Sequence, residues 1–313
     1  VRRLEAGTSL EVEVLAALNP VTPRPNAPTL LASIQLEHGE TSATLWMSEG
    51  LIANEGDAWQ LTVDHAQRYY ERALTKQAGE LLPATGVNDA ALAELLPDFA
   101  PLLRLLGKRT AELHGALFQH ASEGARPFNA LSSRAFYQSV RNLSARAFDA
   151  LRAGSLSSTA QPLAVALLAH KHDLRRILDR TLTQPLTGQR MRVHGDYHLG
   201  QVLYTGSDFF IIDYEGEPAR TPSERRRLRS PLADVASMLR SLHYAAYGVR
   251  TMSLPGAQIR PEDREQLEPW AKQFYRASAA VFLNSYLEAA QGAPYLGTSL
   301  EQLRTLLDIH LVE

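Results

Sequence analysis

Residues 194 to 202 read HGDYHLGQV, and FFIIDYEGEP begins at residue 209. Asp196 and Gln201 lie five positions apart, and Asp213 follows twelve positions later. Between them, Val202-Leu203-Tyr204 and Phe209-Phe210-Ile211-Ile212 are β-prone runs separated by the turn-forming Thr205-Gly206-Ser207-Asp208. That pattern predicts a hairpin with Gln201 and Asp213 at its open end. Whether the two side chains share a face depends on register: a three-residue loop at 206–208 pairs them directly, and a one-residue slip does not.

The spacing constrains the chemistry. Protein kinases hold a catalytic-loop Asp and a metal-binding Asn at the same five-residue interval, with a second metal-binding Asp after a hairpin. Here Gln201 stands in the Asn position. Mg²⁺ takes one or two carboxylates together with phosphate oxygens, which Asp213 and the Gln201 amide oxygen can satisfy. Asp196 then faces an acceptor hydroxyl, orienting it and taking its proton late.

The 313 residues are 45% hydrophobic, enough for one large core or two modest ones. A net charge of −2 implies no general affinity for nucleic acid or an anionic membrane. The absence of cysteine excludes disulfides and thiolate metal sites. No run reaches the roughly 18 apolar residues of a membrane span, and no signal-peptide profile opens the chain, so the expected location is cytoplasmic. The start at Val1-Arg2-Arg3 and the stop inside LLDIHLVE read as an excerpt of a longer chain.

Residues 1–52 predict a helix over Leu10 to Leu18 capped by Ser9, a Pro-rich connector, and strands at 30–36 and 43–47. Residues 53–313 predict mostly helices. Asp57 and Gln60 form a potential capping box ahead of the stripe Trp59, Val63, Ala66, Tyr70 and Leu74. Further stripes fall at 102/106/113/117, 136/140/143/147 and 163/167/174/178. A short strand is expected at 191–193, then a helix opened by Ser230-Pro231 and running to about Tyr247. Two more are expected at 262–291 and 299–313.

HGDYHLGQVL (194–203), IDYEGEPAR (212–220), ERRRLRSPLADVASMLRS (224–241) and GDAW (56–59) resemble segments of bacterial maltokinases in the same order. These belong to the aminoglycoside-phosphotransferase and eukaryotic-kinase-like fold. The resemblance implies an α+β protein-kinase-like fold: residues 1–52 would be a remnant of the N-lobe and 53–313 the helical C-lobe. It implies ATP and Mg²⁺ as cofactors and transfer of the γ-phosphate to the anomeric hydroxyl of maltose. Asp196 becomes the catalytic aspartate, with His198 beside it orienting substrate, and Gln201 and Asp213 become the metal ligands. Asp234 resembles the helix aspartate that holds the catalytic loop. Glu13 resembles the helix glutamate that pairs with a nucleotide-binding lysine, expected just before Val1. Lacking that region, a 1–313 fragment is expected to be weakly active. Trehalose synthase, fused or associated, is the partner the resemblance implies.

Other readings compete with these. His194 and His198 flank Asp196 and favour loop architecture over metal ligation. Glu215 and Glu217 are candidates for metal or sugar contacts, against a reading as solvated turn residues. The Arg225–Arg229 run reads as a solvated face or ion-pair network ahead of a phosphate site. Trp59 and Tyr70 read as core ahead of sugar platforms. Glucosamine or an aminoglycoside is the alternative acceptor, and a non-catalytic kinase-like scaffold is a further alternative. A metal-dependent phosphoesterase would require a Gly-Asn-His motif, and the chain has none.

Overall fold

The computed structural model describes residues 5–39, 41–75, 91, 95–120, 124–158, 160–251 and 259–313. Among these residues the architecture is helix-rich α+β with three two-stranded antiparallel sheets. Helix α1 (Leu10–Leu18) starts where the Ser9 hydroxyl accepts the Val12 N–H. The Asn19 side chain then joins the helix end to the first strand, donating to Leu30 O at 2.8 Å and accepting from Leu30 N at 3.1 Å. Strands β1 (Leu30–His38) and β2 (Thr41–Glu49) form a ribbon longer than the sequence predicts. Leu31, Ile34, Leu36, Leu45 and Trp46 are exposed on it.

Asp57 caps α2 (Ala58–Ala73) through the Gln60 N–H, but the Gln60 side chain turns to Asp64, so only half of the expected capping box forms. Tyr70 is fully buried and donates to Ala246 O at 2.6 Å, and Val63 and Ala66 are buried beside it. The stripe is core. Next come α3 (Ala100–His120), β3 (Arg126–Pro127), α4 (Ala130–Ala153), α5 (Ala160–Ala169) and α6 (Lys171–Thr183). The stripe at 163/167/174/178 is broken between α5 and α6 at His170, which resets the helical phase. Leu163 and Leu167 are consequently exposed, whereas Leu178 joins a small second core with Tyr137, Val140 and Ile309.

The strand expected at 191–193 does not form. Strand β4 (Gln189–Arg190) pairs with β3, and Met191 makes only a single bridge to Arg229. The hairpin is β5 (Val202–Tyr204) with β6 (Phe209–Ile211). Its free edges are both paired: Tyr204 exchanges backbone bonds with Glu55 and Gly56, and Ile211 N donates to Asn26 O. Arg109 of α3 grips the tip through both Asp208 oxygens, at 2.8 and 2.6 Å.

After α7 (Pro222–Arg225), helices α8 (Leu232–Thr251), α9 (Glu268–Ala289) and α10 (Leu300–Val312) complete the body. The expected helix at 262–291 starts at Glu268, behind a short 3₁₀ turn. Helices α3 and α9 meet at Gly107, where a Cβ would lie 2.6 Å from Phe282 O and 2.9 Å from Tyr286 N. Only glycine allows that approach. The main core runs continuously from α1 through α2, α3, α8 and α9 to the hairpin. Each fully buried Leu or Phe in it contributes about 1.5–3 kcal/mol, and this packing holds the 194–201 loop against α3 and α8. Among the described residues no helix is long and apolar enough to cross a membrane.

Candidate active site

The loop 194–201 hangs from Asp234, in the first turn of α8. Asp234 is 2% exposed; its Oδ2 accepts the His194 N–H at 2.8 Å and its Oδ1 the Gly195 N–H at 3.0 Å. His114 of α3 adds a third donor, Nε2 to Oδ2 at 3.1 Å, while its Nδ1 meets the Tyr286 hydroxyl at 2.9 Å. Burial alone would raise the Asp234 carboxyl, but the His114 bond, the two histidines and the Gly195 N–H outweigh it and hold Asp234 below the usual carboxylate range. Gly195 sits at φ 85°, a left-handed conformation a side chain would strain.

Further bonds fix the rest of the loop. The Tyr197 hydroxyl meets Thr110 Oγ1 at 2.7 Å, and Leu199 N donates to Ser241 Oγ at 3.1 Å. His194 is buried, and both ring nitrogens are engaged: Nε2 with Ile212 O at 2.9 Å, and Nδ1 with Asp196 N at 3.3 Å. It therefore stands as loop architecture. Burial pushes its imidazole below the usual histidine value. His198 is more open; its Nδ1 accepts from Gly200 N and its Nε2 lies 4.0 Å from Asp196 Oδ2.

The Asp196 carboxylate is partly exposed. Burial first, then the negative charge of Glu217, raises it above its ordinary value, with His198 and His194 pulling the other way. Such a carboxylate is a stronger proton acceptor than a solvated one.

The hairpin register is the slipped one: Val202 pairs Ile211, Leu203 pairs Phe210 and Tyr204 pairs Phe209. Gln201 thus lies opposite Ile212, whose N–H it accepts at 3.0 Å. In a regular strand Asp213 would point to the other face. Instead the strand ends at Ile211 and Asp213 takes φ 65°, the one positive φ outside glycine among the described residues. That turn brings its Oδ2 within 2.8 Å of Gln201 Nε2. The two side chains meet by backbone strain rather than by register.

Glu13 is ion-paired with Arg226, and the carboxylate of α1 that faces the acidic turn is Glu11. Burial, then the charges of Asp213, Glu49 and Glu215, push Glu11 up to about 7, although it accepts a hydrogen bond from the Tyr214 backbone. Glu49 at the end of β2 is raised by burial and by Asp213. Glu217 accepts from Ala219 N at 3.2 Å, and the Glu215 carbonyl accepts from Arg225. The arginine run is an ion-pair network, though its partners are remote in sequence: Arg225 meets Glu5, Arg226 meets Glu13, and Arg229 meets Glu313.

Three residues of this site escaped the sequence reading. His114 sits in an ordinary leucine stripe, Thr110 one turn before it, and Glu11 two positions from Glu13. Among the described residues no three His, Asp or Glu side chains converge as a self-sufficient metal site. Gln201 and Asp213 offer oxygen donors that suit Mg²⁺ only when phosphate oxygens complete its shell.

No family model matches the chain. It is 28% identical over 207 residues to a glucosamine kinase of Streptacidiphilus jiangxiensis, covering 65% of the chain and 40% of that protein. It is 29% identical over 181 residues to a glucosamine kinase of Mycolicibacterium smegmatis, covering 57% of the chain and 42% of that protein. The chain thus spans about two fifths of the length of these curated relatives. A solved glucosamine kinase in complex with glucosamine, ADP and inorganic phosphate matches with a TM-score of 0.69 at 20% identity, over 99% of this chain and 63% of that one. A second crystal structure of a glucosamine kinase gives 0.70 over 99% and 62%. At that identity the likeness is one of fold: the chain has the fold of the matched portion of these kinases.

Proposed function

We propose that this chain is the catalytic part of an ATP- and Mg²⁺-dependent sugar kinase, with an amino sugar, glucosamine, as its acceptor. The observation that carries the reading is the convergence of Gln201 and Asp213, 2.8 Å apart at the end of the hairpin, next to the loop that presents Asp196. The fold shared with glucosamine kinase structures supports it. The two curated relatives support glucosamine over the maltose reading. Maltose stands as the second acceptor, carried by the motif resemblance at 194–203 and 212–220. The glucosamine kinase relatives give trehalose synthase no support as a partner.

In this reading Asp213 and the Gln201 oxygen hold the metal with the nucleotide phosphates, and the metal supplies neutralisation of charge on the transferred group. Asp196 would accept a hydrogen bond from the acceptor hydroxyl, align its oxygen, and take the proton as the new oxygen–phosphorus bond forms and the bond from the γ-phosphorus to the departing ADP breaks. His198 borders Asp196 and orients the acceptor. Asp234 and His114 fix the loop in advance, so no ordering is required at the moment of reaction. Residues 1–52 would belong to the N-lobe and 53–313 to the helical C-lobe of a kinase-like fold.

The test is a product assay with ATP and Mg²⁺ against glucosamine, maltose, glucose and an aminoglycoside, using the natural protein that carries this chain. A sugar phosphate formed fastest from glucosamine supports the reading. Preference for maltose restores the second acceptor, and no nucleotide binding at all would leave a scaffold.

A further inference from the structure

Helix α5 is uncharged, and between Arg152 and Lys171 the sequence has no Asp, Glu, Lys or Arg. Ser157 holds its start: the carbonyl accepts the Gln161 N–H at 3.0 Å and the hydroxyl accepts the Ala160 N–H at 3.2 Å. A surface helix normally turns an apolar stripe of about 100° to the core and a polar face to water. In α5 only Ala164 is buried, whereas Gln161, Pro162, Leu163, Val165, Ala166 and Leu167 face solvent. At 3.6 residues per turn these six positions cover roughly 240° of the helix circumference. Leu163, Val165 and Leu167 are 73%, 59% and 45% exposed. Single exposed leucines are ordinary, but an apolar helix bare around most of its girth marks an interaction site.

The elements on either side of α5 are basic. The C-terminal end of α4 and the first turns of α6 lie together, with Lys171 Nζ 5.6 Å from the centre of the Phe148 ring. Residues 146–180 hold six Lys or Arg against three Asp, a local balance of +3 in a chain whose total is −2. The ion pairs there are exposed: Arg152 with Asp149 at 3.2 Å, Arg176 with Asp173 at 2.6 Å, and Arg175 with Asp179 at 3.8 Å. Such pairs are weak and screened by salt. Among the described residues Arg146 and Lys171 have no carboxylate partner at all. An apolar projection with positive charge beside it is complementary to a surface that is anionic outside and apolar beneath.

We propose that α5 docks the protein on an anionic lipid bilayer: Leu163, Val165 and Leu167 enter the boundary between headgroups and acyl chains, and the basic ends of α4 and α6 meet the lipid phosphates. The breadth of the exposed arc favours lipid over a protein partner. A groove on a protein, or a second copy of α5, covers one face of a helix, whereas acyl chains close around every exposed side of it. The length fits the same arrangement. Ten residues extend about 15 Å, half of a hydrocarbon core of about 30 Å, so α5 lies in the interface and does not span it. The chain's overall negative charge gives no general attraction to such a surface, so docking depends on this one end of the molecule.

Vesicle flotation of the natural protein that carries this chain tests the proposal, with phosphatidylcholine alone compared against equal parts phosphatidylcholine and phosphatidylglycerol. The protein is expected to float with the anionic vesicles, and to partition at least tenfold less onto phosphatidylcholine alone or in molar salt. Leu163→Gln combined with Leu167→Gln, at positions facing solvent, should keep the urea midpoint and cut partitioning at least tenfold. Arg146→Glu combined with Lys171→Glu should cut binding to anionic vesicles by a similar factor, and gives an independent reading through charge alone. No flotation with anionic vesicles, or flotation undiminished in the leucine pair, would overturn the proposal. So would a dimer in sedimentation that the leucine pair dissociates without any vesicle binding, which would give α5 to a second copy of the chain.

Discussion

Below Asp196 the buried polar groups of His194, Gly195, Tyr197 and Leu199 each meet a partner, whereas above it Glu11, Glu49, Asp213 and Glu215 press like charges on one another. The lower half is self-sufficient: Asp234 takes three donors and is held ionised. The upper half is frustrated, with Glu11 pushed up to about 7. In the proposed reading the bonded loop is the floor that holds Asp196 toward the acceptor, and the crowded carboxylates are the roof whose repulsion a bound cation would relieve. Stability and binding are thus segregated within one site.

The sharpest way to break this division is to alter the floor's chemistry without its packing. Asp196→Asn keeps shape and the loop bonds, and is expected to lower turnover by about 10²–10⁴-fold with the urea midpoint unchanged. A rate that survives removes Asp196 from the chemistry. Asp234→Ala should do the reverse, leaving buried donors on His194, Gly195 and His114 unmatched. A loss of about 3–5 kcal/mol, by urea denaturation, is expected for breaking such a buried pair. Because the Asp234 carboxyl is depressed in the folded state, its contribution is present above the unfolded value near 3.9 and is lost as pH falls through the folded one.

The roof responds with the opposite sign. Glu11 is raised, so between its ordinary 4.5 and about 7 the folded state keeps a proton the unfolded state has released. Stability should fall as pH rises through that window and flatten above it. Glu11→Gln should remove this slope, measured by urea midpoints from pH 4.5 to 7.5. Asp213→Gly relieves the positive φ and is expected to raise stability by about 1 kcal/mol while abolishing metal-dependent turnover. A destabilised Asp213→Gly would show that no strain is stored there. Smallest of all, Arg109→Gln releases the hairpin tip and should cost about 0.5 kcal/mol.

The two halves also differed in how far the sequence revealed them. Asp196, Gln201, Asp213 and Asp234 were legible because spacing in a loop, a hairpin and a helix start is local information. The meeting of Gln201 and Asp213 was legible only as a dependence on register, and the structure achieves it in the slipped register through a left-handed Asp213 that no neighbouring residue signals. Glu11 and Glu13 sit two apart on one helix, roughly 200° around its axis, so which one faces the site is set by tertiary packing. His114 is indistinguishable in sequence from a core residue of α3, since its role comes from α8, 120 positions away. Leu163 and Leu167 fit a helical stripe, yet the break at His170 turns them to solvent.

The central claim is that Asp196, beside the Gln201–Asp213 pair, serves as the base for phosphate transfer from ATP to a sugar. The direct measurement follows the radiolabelled γ-phosphate of ATP onto glucosamine with Mg²⁺, comparing the natural protein that carries this chain with its Asp196→Asn variant. Labelled glucosamine phosphate from the first, and its near loss in the second with nucleotide affinity retained, is the predicted result. Equal transfer by both proteins, or label found on none of the sugars, would contradict it.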